Sequence, residues 1–561
     1  MGDVRPVGSP AFPGVAASRG PGLYAPAMQT RTVLALAVLL LTAANARAHE
    51  HTRGAPAEAE LGAVTFDTSC QPQVSADINR GVALLHSFWH DEARRTFERA
   101  AAADPDCAMA WWGQALGLFH LYSDTPTDKE LAAALQALAK AEAAKEKNAR
   151  EAAYIRALHP LFEGYKPREN YVYAQRFADA MSGVVASYPK DIDATAFYAL
   201  ALLAAMPPGD ATRSNAKKAV VLMYPMFREH PNHPGLAHYI IHATDHPLMA
   251  KQGLEAARRY ASIAPAAPHA LHMPSHIFAR LGLWEDDIRS NLASKAAAEV
   301  TTGPRIGAEN RLHAMEFLQY AYLQSGRFVE ARAIADEART IRKEDSNYAD
   351  YYDSVESRFA LLLAVETRDW AMAASLEPLP GTHWFGEALT VLAHAIAAGH
   401  RRDGSAGKAA TAAFDALMVK ASSPALPPGS SGANARDEIH AWSAFAQGDA
   451  GRAIQILQST ADLQSKVGKG EVELPAREML AEILLLDGLT AEALRQYEIS
   501  LVSDPNRFNA LLGAAFAAQK LGHTALARRY YRQLAANSPH ATGSARDLIA
   551  PGLNPGAGAS R

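Results

Sequence analysis

Cysteine is almost missing from this sequence: Cys70 and Cys107 are the only two in 561 residues. They form no C-x-x-C pair, which leaves either one disulfide, allowed in an oxidising compartment, or two inert thiols. Aromatic residues reach only 8%. Runs of β-branched residues are few and alanine runs are many, which favours helix over strand. Neither sign of charge dominates, with 55 Lys and Arg against 59 Asp and Glu. No basic stripe stands out, which argues against nucleic acid as a partner. Long apolar runs are also missing. The run over residues 33–44 has 12 residues, too few to span roughly 30 Å of hydrocarbon, and no second run is long enough either. G-x-S-x-G, the P-loop and G-x-G-x-x-G are all absent, so no common catalytic or nucleotide motif marks an enzyme. Catalysis is thus left open and disfavoured, and no catalytic residue is assigned.

The run over 33–44 has a recognisable setting. MQTRTVLALAVLLLTAANARA (28–48) begins with a positive charge at Arg31 and ends in the small-x-small triplet Ala46-Arg47-Ala48. That is the layout of a secretory signal peptide, so a periplasmic or secreted protein is expected, with Met28 in place of Met1 as a candidate start. No cysteine follows the cleavage point, so no lipid anchor is expected there. Removing residues 1–48 takes away Arg5, Arg19, Arg31, Arg47 and Asp3, and moves the net charge from −4 to −7. The new N-terminus would be HEHTRG, in which the free amine of His49 and the imidazole of His51 form a weak square-planar copper or nickel site.

A chain this long needs more than one structural unit, and a 34-residue period supplies them. In RGVALLHSFWHDEARRTFERAAAADP (80–105), Gly81, Ala93, Phe97, Ala100 and Pro105 fall at positions 8, 20, 24, 27 and 32 of the unit, and Trp111 at position 4 of the next. Pro231 and Pro265 are 34 apart, as are Gly488 and Gly522, Ala493 and Ala527, Tyr497 and Tyr531, and Pro505 and Pro539. RLGLWEDD (280–287), QSGRFVEA (324–331), AQGDAGRA (446–453), LDGLTAEA (486–493) and KLGHTALA (520–527) all read as one type of helix-turn-helix junction. Glycine ends the first helix in the left-handed conformation, and proline stops the second. The pattern resembles the tetratricopeptide repeat (TPR). The resemblance covers most of 75–400 and 436–540. It implies an all-α fold, an α-solenoid of TPR-like helical hairpins wound as a right-handed superhelix, and a protein or peptide partner in the concave groove. Stacked hairpins share the core that one hairpin cannot close.

The domain order expected from this is a leader over 1–48, a flexible stretch over 49–62, and an N-terminal TPR-like solenoid over 63–403. A linker or irregular segment over 404–435, C-terminal repeats over 436–540 and a disordered tail over 541–561 complete the chain.

Two histidine pairs sit in phase with the repeat. LAHYIIHATDH (236–246) holds His238 and His242, and ALHMPSHIFAR (270–280) holds His272 and His276. Pro231 and Pro265 at position 32 place His238 and His272 at position 5, and His242 and His276 at position 9. One helical turn separates the members of each pair, so each pair shares a face. In the TPR resemblance, positions 2, 5, 9, 12 and 13 of first helices face the groove. Neighbouring first helices lie roughly 8–10 Å apart, so four imidazoles would look into one space.

A helical His-x-x-x-His pair can chelate zinc, copper, nickel or iron, and zinc or copper is the cofactor class expected here. Asp245, His246, His269 and His313 are supporting candidates by position. The glutamate that zinc proteases place after the first histidine is missing, and Tyr239 stands there. Three readings stay open: a metal-binding module, a peptide-binding scaffold without metal, and a metal-dependent enzyme. His86 and His120, both at position 13, form a weaker in-phase pair. Trp111 and Trp112 read as core or groove wall. A looser resemblance rests on GVALLHSFWHDEA, CAMAWWGQAL, HPGLAHYIIHATDH and HMPSHIFARLG together. It points to exported bacterial TPR proteins, and it implies export and the joint presence of these motifs without naming a substrate.

Overall fold

The computed structural model describes residues 60–553, apart from 123–124, 146, 208, 301–303, 342–348, 380–382 and 423–424. The expected signal peptide, His49, His51 and residues 554–561 lie outside the described residues. The described chain is all-α, a run of helices packed in neighbouring antiparallel pairs from Ser75–His86 to Ala545–Leu553. No β-strand occurs among the described residues. One isolated bridge joins Arg327 to Thr542. No helix among the described residues is long and apolar enough to cross a membrane.

The local chemistry is that of stacked hairpins. Gly282, Gly326, Gly448, Gly488 and Gly522, one in each expected junction, all have positive φ, where glycine escapes the Cβ penalty. Small residues at facing positions let helices close up. Phe97 fills the space that a β-carbon on Gly81 or Gly113 would need. Side-chain caps start several helices, including the reciprocal pairs Thr127–Glu130 and Asn148–Glu151, which satisfy otherwise orphaned N–H groups. Cys70 and Cys107 form a disulfide.

Several expected boundaries change. Residues 404–435, expected as a linker, carry the helix Gly404–Lys420 and the start of Ser431–Ala446. Gly407, Ala410, Phe414 and Leu417 of the first are buried at helical spacing, and Asp403 caps it. Among the described residues of this segment, loop is confined to the Pro- and Gly-rich stretch before Ser431. The start of the expected tail is structured: Ala545 and Ile549 of Ala545–Leu553 are buried, and Thr542 N–H donates to the Gly326 carbonyl at 2.8 Å. Leu61, inside the stretch expected to be loose, is buried, and Ala63 N–H next to it donates to the Asn232 carbonyl. The apolar core divides near residue 278, with one cluster over 61–278 and another over 279–549, and does not divide at 404–435.

The C-terminal repeats fold back onto the earlier ones. Trp284 Nε1–H donates to the Asn506 carbonyl at 2.9 Å, and Asn506 Nδ2–H to the Gly282 carbonyl at 3.1 Å. Arg507, fully buried, donates to Glu478 at 2.7 Å, to Glu366 at 2.6 Å and to the Tyr320 hydroxyl. This return brings the segment around Glu471 against the helices that carry the histidines.

Candidate metal centre

His238 and His242 lie on the helix Pro234–Thr244, and His272 ends the short helix Pro268–His272. Pro274, which has no N–H to donate, starts Pro274–Leu281, the helix that carries His276. The expected continuous first helix is therefore interrupted at Met273, yet His272 and His276 remain one turn apart and their Nε2 atoms stand 3.0 Å apart. The His242 and His238 Nε2 atoms are likewise 3.0 Å apart.

Each pair gains a third imidazole. His269 Nε2 lies 3.1 Å from His238 Nε2, and the His313 ring centroid lies 4.2 Å from that of His272. Two triads result, His238–His242–His269 and His272–His276–His313, and in each the potential ligand atoms all lie within 4.8 Å of one another. Adjacent rings of the two triads are 6.2 Å apart at His269–His272 and 6.3 Å at His242–His276. His269 and His313, ranked by position as supporting residues, stand in the inner ring with the four principal ones.

The outer nitrogens decide the tautomers. His238 Nδ1 is 2.6 Å from the His86 carbonyl, which can only accept, so the proton sits on Nδ1. His272 Nδ1 faces Asn291 Oδ1 at 2.7 Å, and the Asn291 amide is fixed because its Nδ2–H groups donate to Asp287. His276 Nδ1 faces Asp245 Oδ2 at 2.9 Å and Glu471 at 3.3 Å, and His313 Nδ1 faces Glu316 at 3.4 Å. In the neutral rings each of these Nε2 atoms then presents a lone pair inward. Imidazoles that ligate metals are held in this way, with the far N–H on a carbonyl or carboxylate.

The electrostatics follow from burial. Desolvation, then neighbouring imidazoles, keep His238, His242, His269 and His272 neutral, well below the usual histidine range. His276 goes the other way: against its burial, hydrogen bonds to Asp245 and Glu471 raise it to about 10. Burial and the facing Glu471 push Asp245 up, while Arg280 holds Glu471 well below the carboxylate range despite its own burial. Arg280 Nε–H donates to Asp245 at 2.9 Å and Nη2–H to Glu471 at 3.1 Å.

The hollow is walled rather than open, which corrects the expected exposure of positions 5 and 9: His238 and His272 at position 5 are buried, and so are His242 and His276 at position 9. The ring of Phe88 lies 4.4 Å from His238 and that of Tyr122 4.5 Å from His242. Phe88 holds φ at 53°, a left-handed conformation that costs a residue with a β-carbon about 1–2 kcal/mol and that sets its ring against three of the histidines. His269 and His313 are the half-exposed members. A cavity of about 420 Å³ borders Asp245, Arg280, Arg213 and Lys469, one side chain away from His276.

The remaining candidates fall elsewhere. Asp245 holds His276 from outside the ring, whereas His246 turns toward Gly468. His86 and His120 are not brought together as a pair. His86 joins a different buried network, with Asp193 at 2.9 Å and the Tyr239 hydroxyl at 3.0 Å, while the His120 ring lies tilted 4.6 Å from that of His90. His233 completes that network at 3.2 Å from Asp193. There each ring faces a carboxylate or hydroxyl, so the polar groups satisfy one another without a cation. Trp112 is buried against Phe66, and Trp111 donates to the Pro105 carbonyl. Glu471, Asn291 and Phe88 were missed by the sequence reading, because nothing in their local pattern announces a site 19 to 195 residues away.

No family model and no curated protein matches this chain. Among solved structures, it is similar to Naa15/Naa10 bound to HypK-THB, with 11% identity, 85% of this chain and 75% of that chain covered, and a TM-score of 0.21. It is also similar to the crystal structure of the P58(IPK) TPR domain, with 12% identity, 86% and 97% covered, and a TM-score of 0.21. Scores at that level carry no argument about this chain, so its all-α hairpin architecture rests on its own helices and its site on its own geometry.

Proposed function

We propose that this chain is an exported, TPR-like binding module whose histidine hollow holds a divalent transition metal, zinc or copper. The observation that carries the reading is the pair of facing nitrogens at 3.0 Å, His272 Nε2 and His276 Nε2, each on a ring whose Nδ1–H is already committed to Asn291 or Asp245. Two lone pairs at that separation repel unless a cation stands between them. An all-imidazole donor set suits zinc, copper or nickel better than magnesium or calcium. The signal-like leader and the Cys70–Cys107 disulfide support export into an oxidising compartment.

A proton is the competing cation. Asp245 and Glu471 raise His276 to about 10, so a metal-free scaffold would keep His276 as an imidazolium that donates to His272. In that reading the solenoid recruits a protein or peptide with no metal.

The two separate on one experiment. Protein isolated without an affinity tag and dialysed against trace zinc should hold near-stoichiometric metal by elemental analysis. The His238→Ala, His272→Ala double variant should hold less than a tenth of that, with circular dichroism verifying that it is folded. Metal-free wild-type protein under those conditions overturns the metal reading and favours the scaffold.

A further inference from the structure

We infer that the hollow is built for two metal ions, one in each histidine triad. This rests on the metal reading above and goes beyond it, because six imidazoles around one ion and three around each of two are different centres.

The first reason is the bite of each triad. Ligands about 2.0–2.1 Å from a shared ion stand roughly 2.8–3.4 Å apart for right-angle to tetrahedral geometry. The His238–His242 and His238–His269 separations are 3.0 and 3.1 Å, and the His272–His276 separation is 3.0 Å. Each group thus already spans a coordination edge by itself.

The second reason is the lone-pair balance. An ion held by His238, His242 and His269 does nothing for His272 and His276, whose Nε2 atoms still face each other. An ion placed in the second triad leaves His238 Nε2 pointing at two other nitrogens in turn. A cation in each group engages the inward nitrogens of both at once. Three imidazoles leave each ion an open position for water or a small anion.

The third reason is charge. Asp245 and Glu471, both ion-paired to Arg280, lie at the His276 side of the hollow, so carboxylate charge stands beside the second triad and offsets part of what a second dication brings.

The test is stoichiometry, with zinc alone as the probe. Demetallated full-length protein is titrated with zinc by calorimetry, and bound metal is counted after dialysis. We expect two zinc ions per chain, falling to one in His269→Ala and to one in His313→Ala. Both substitutions remove a half-exposed ring, so the packed core is kept. A count of one in the wild type, lost in either variant, overturns the two-ion centre and leaves the metal reading standing. A count of zero overturns both. Should either variant fail to fold, the copper-loaded wild type decides. Two nearby Cu(II) ions give a spin-coupled paramagnetic resonance spectrum, and an uncoupled one-copper spectrum contradicts the proposal.

Discussion

Two imidazole nitrogens at hydrogen-bond distance must share a proton or a metal, and which rings are free to do so depends on single neighbours. His238 has the His86 carbonyl, His272 has Asn291, and His276 has Asp245. The four principal histidines were legible because helical spacing and the 34-residue offset are both visible in the sequence. His269 and His313 were legible only as supporting residues, since a position number says which way a side chain points but not how near it comes. Asn291 and Glu471 were not legible, because they arrive from another helix and another repeat.

Residue-scale electrostatics also govern stability in acid. Glu482 pairs with Arg368 at 2.8 Å, and against its burial Arg368 and His400 hold it down to about 2 from an ordinary 4.5. The unfolded chain therefore takes up that proton at higher pH than the folded chain does. The stabilisation is complete above pH 4.5 and lost as pH falls toward 2, up to about 3 kcal/mol from this group. Urea midpoints at pH 7 and pH 3 should show the loss, and Glu482→Gln should flatten that part of the profile. An equal pH dependence in the variant contradicts the assignment.

Among the helices, the junction glycines do two jobs. They end first helices, and at Gly282 the absence of a side chain also admits another repeat. Gly282 has φ of 63°, and a β-carbon there would run into the Pro505 carbonyl. Gly282→Ala should destabilise the protein by about 2–3 kcal/mol, from strain and overpacking together. The equivalent change at Gly488, where a β-carbon meets open space, should cost only the strain, about 1 kcal/mol. Equal losses in thermal unfolding of the two variants would show that the Pro505 contact contributes nothing. The helix pattern itself was readable from Gly, Ala and Pro at repeat spacing. The helix Gly404–Lys420 was misread because the Pro- and Gly-rich loop after it outweighed its own buried stripe at 407, 410, 414 and 417.

Across the whole molecule, the return of the C-terminal repeats converts an expected open groove into a walled hollow. No periodicity encodes that return, which depends on groups meeting across 141 to 224 residues. Arg507 is its anchor, buried between Glu366 and Glu478 with Tyr320 alongside. Replacing it by methionine leaves two buried carboxylates without their cation, which should cost about 3–5 kcal/mol. Glu471 would then be less firmly held against His276, so metal affinity should fall alongside the melting temperature. An Arg507→Met protein that melts like the wild type contradicts this.

X-ray absorption at the metal edge of zinc-loaded, untagged protein tests the central claim most directly. The account predicts a first shell that includes three imidazole nitrogens per zinc at about 2.0–2.1 Å, with the outer-shell scattering that rigid imidazole rings produce. A shell made of oxygen alone, or protein that retains no zinc to measure, would contradict it.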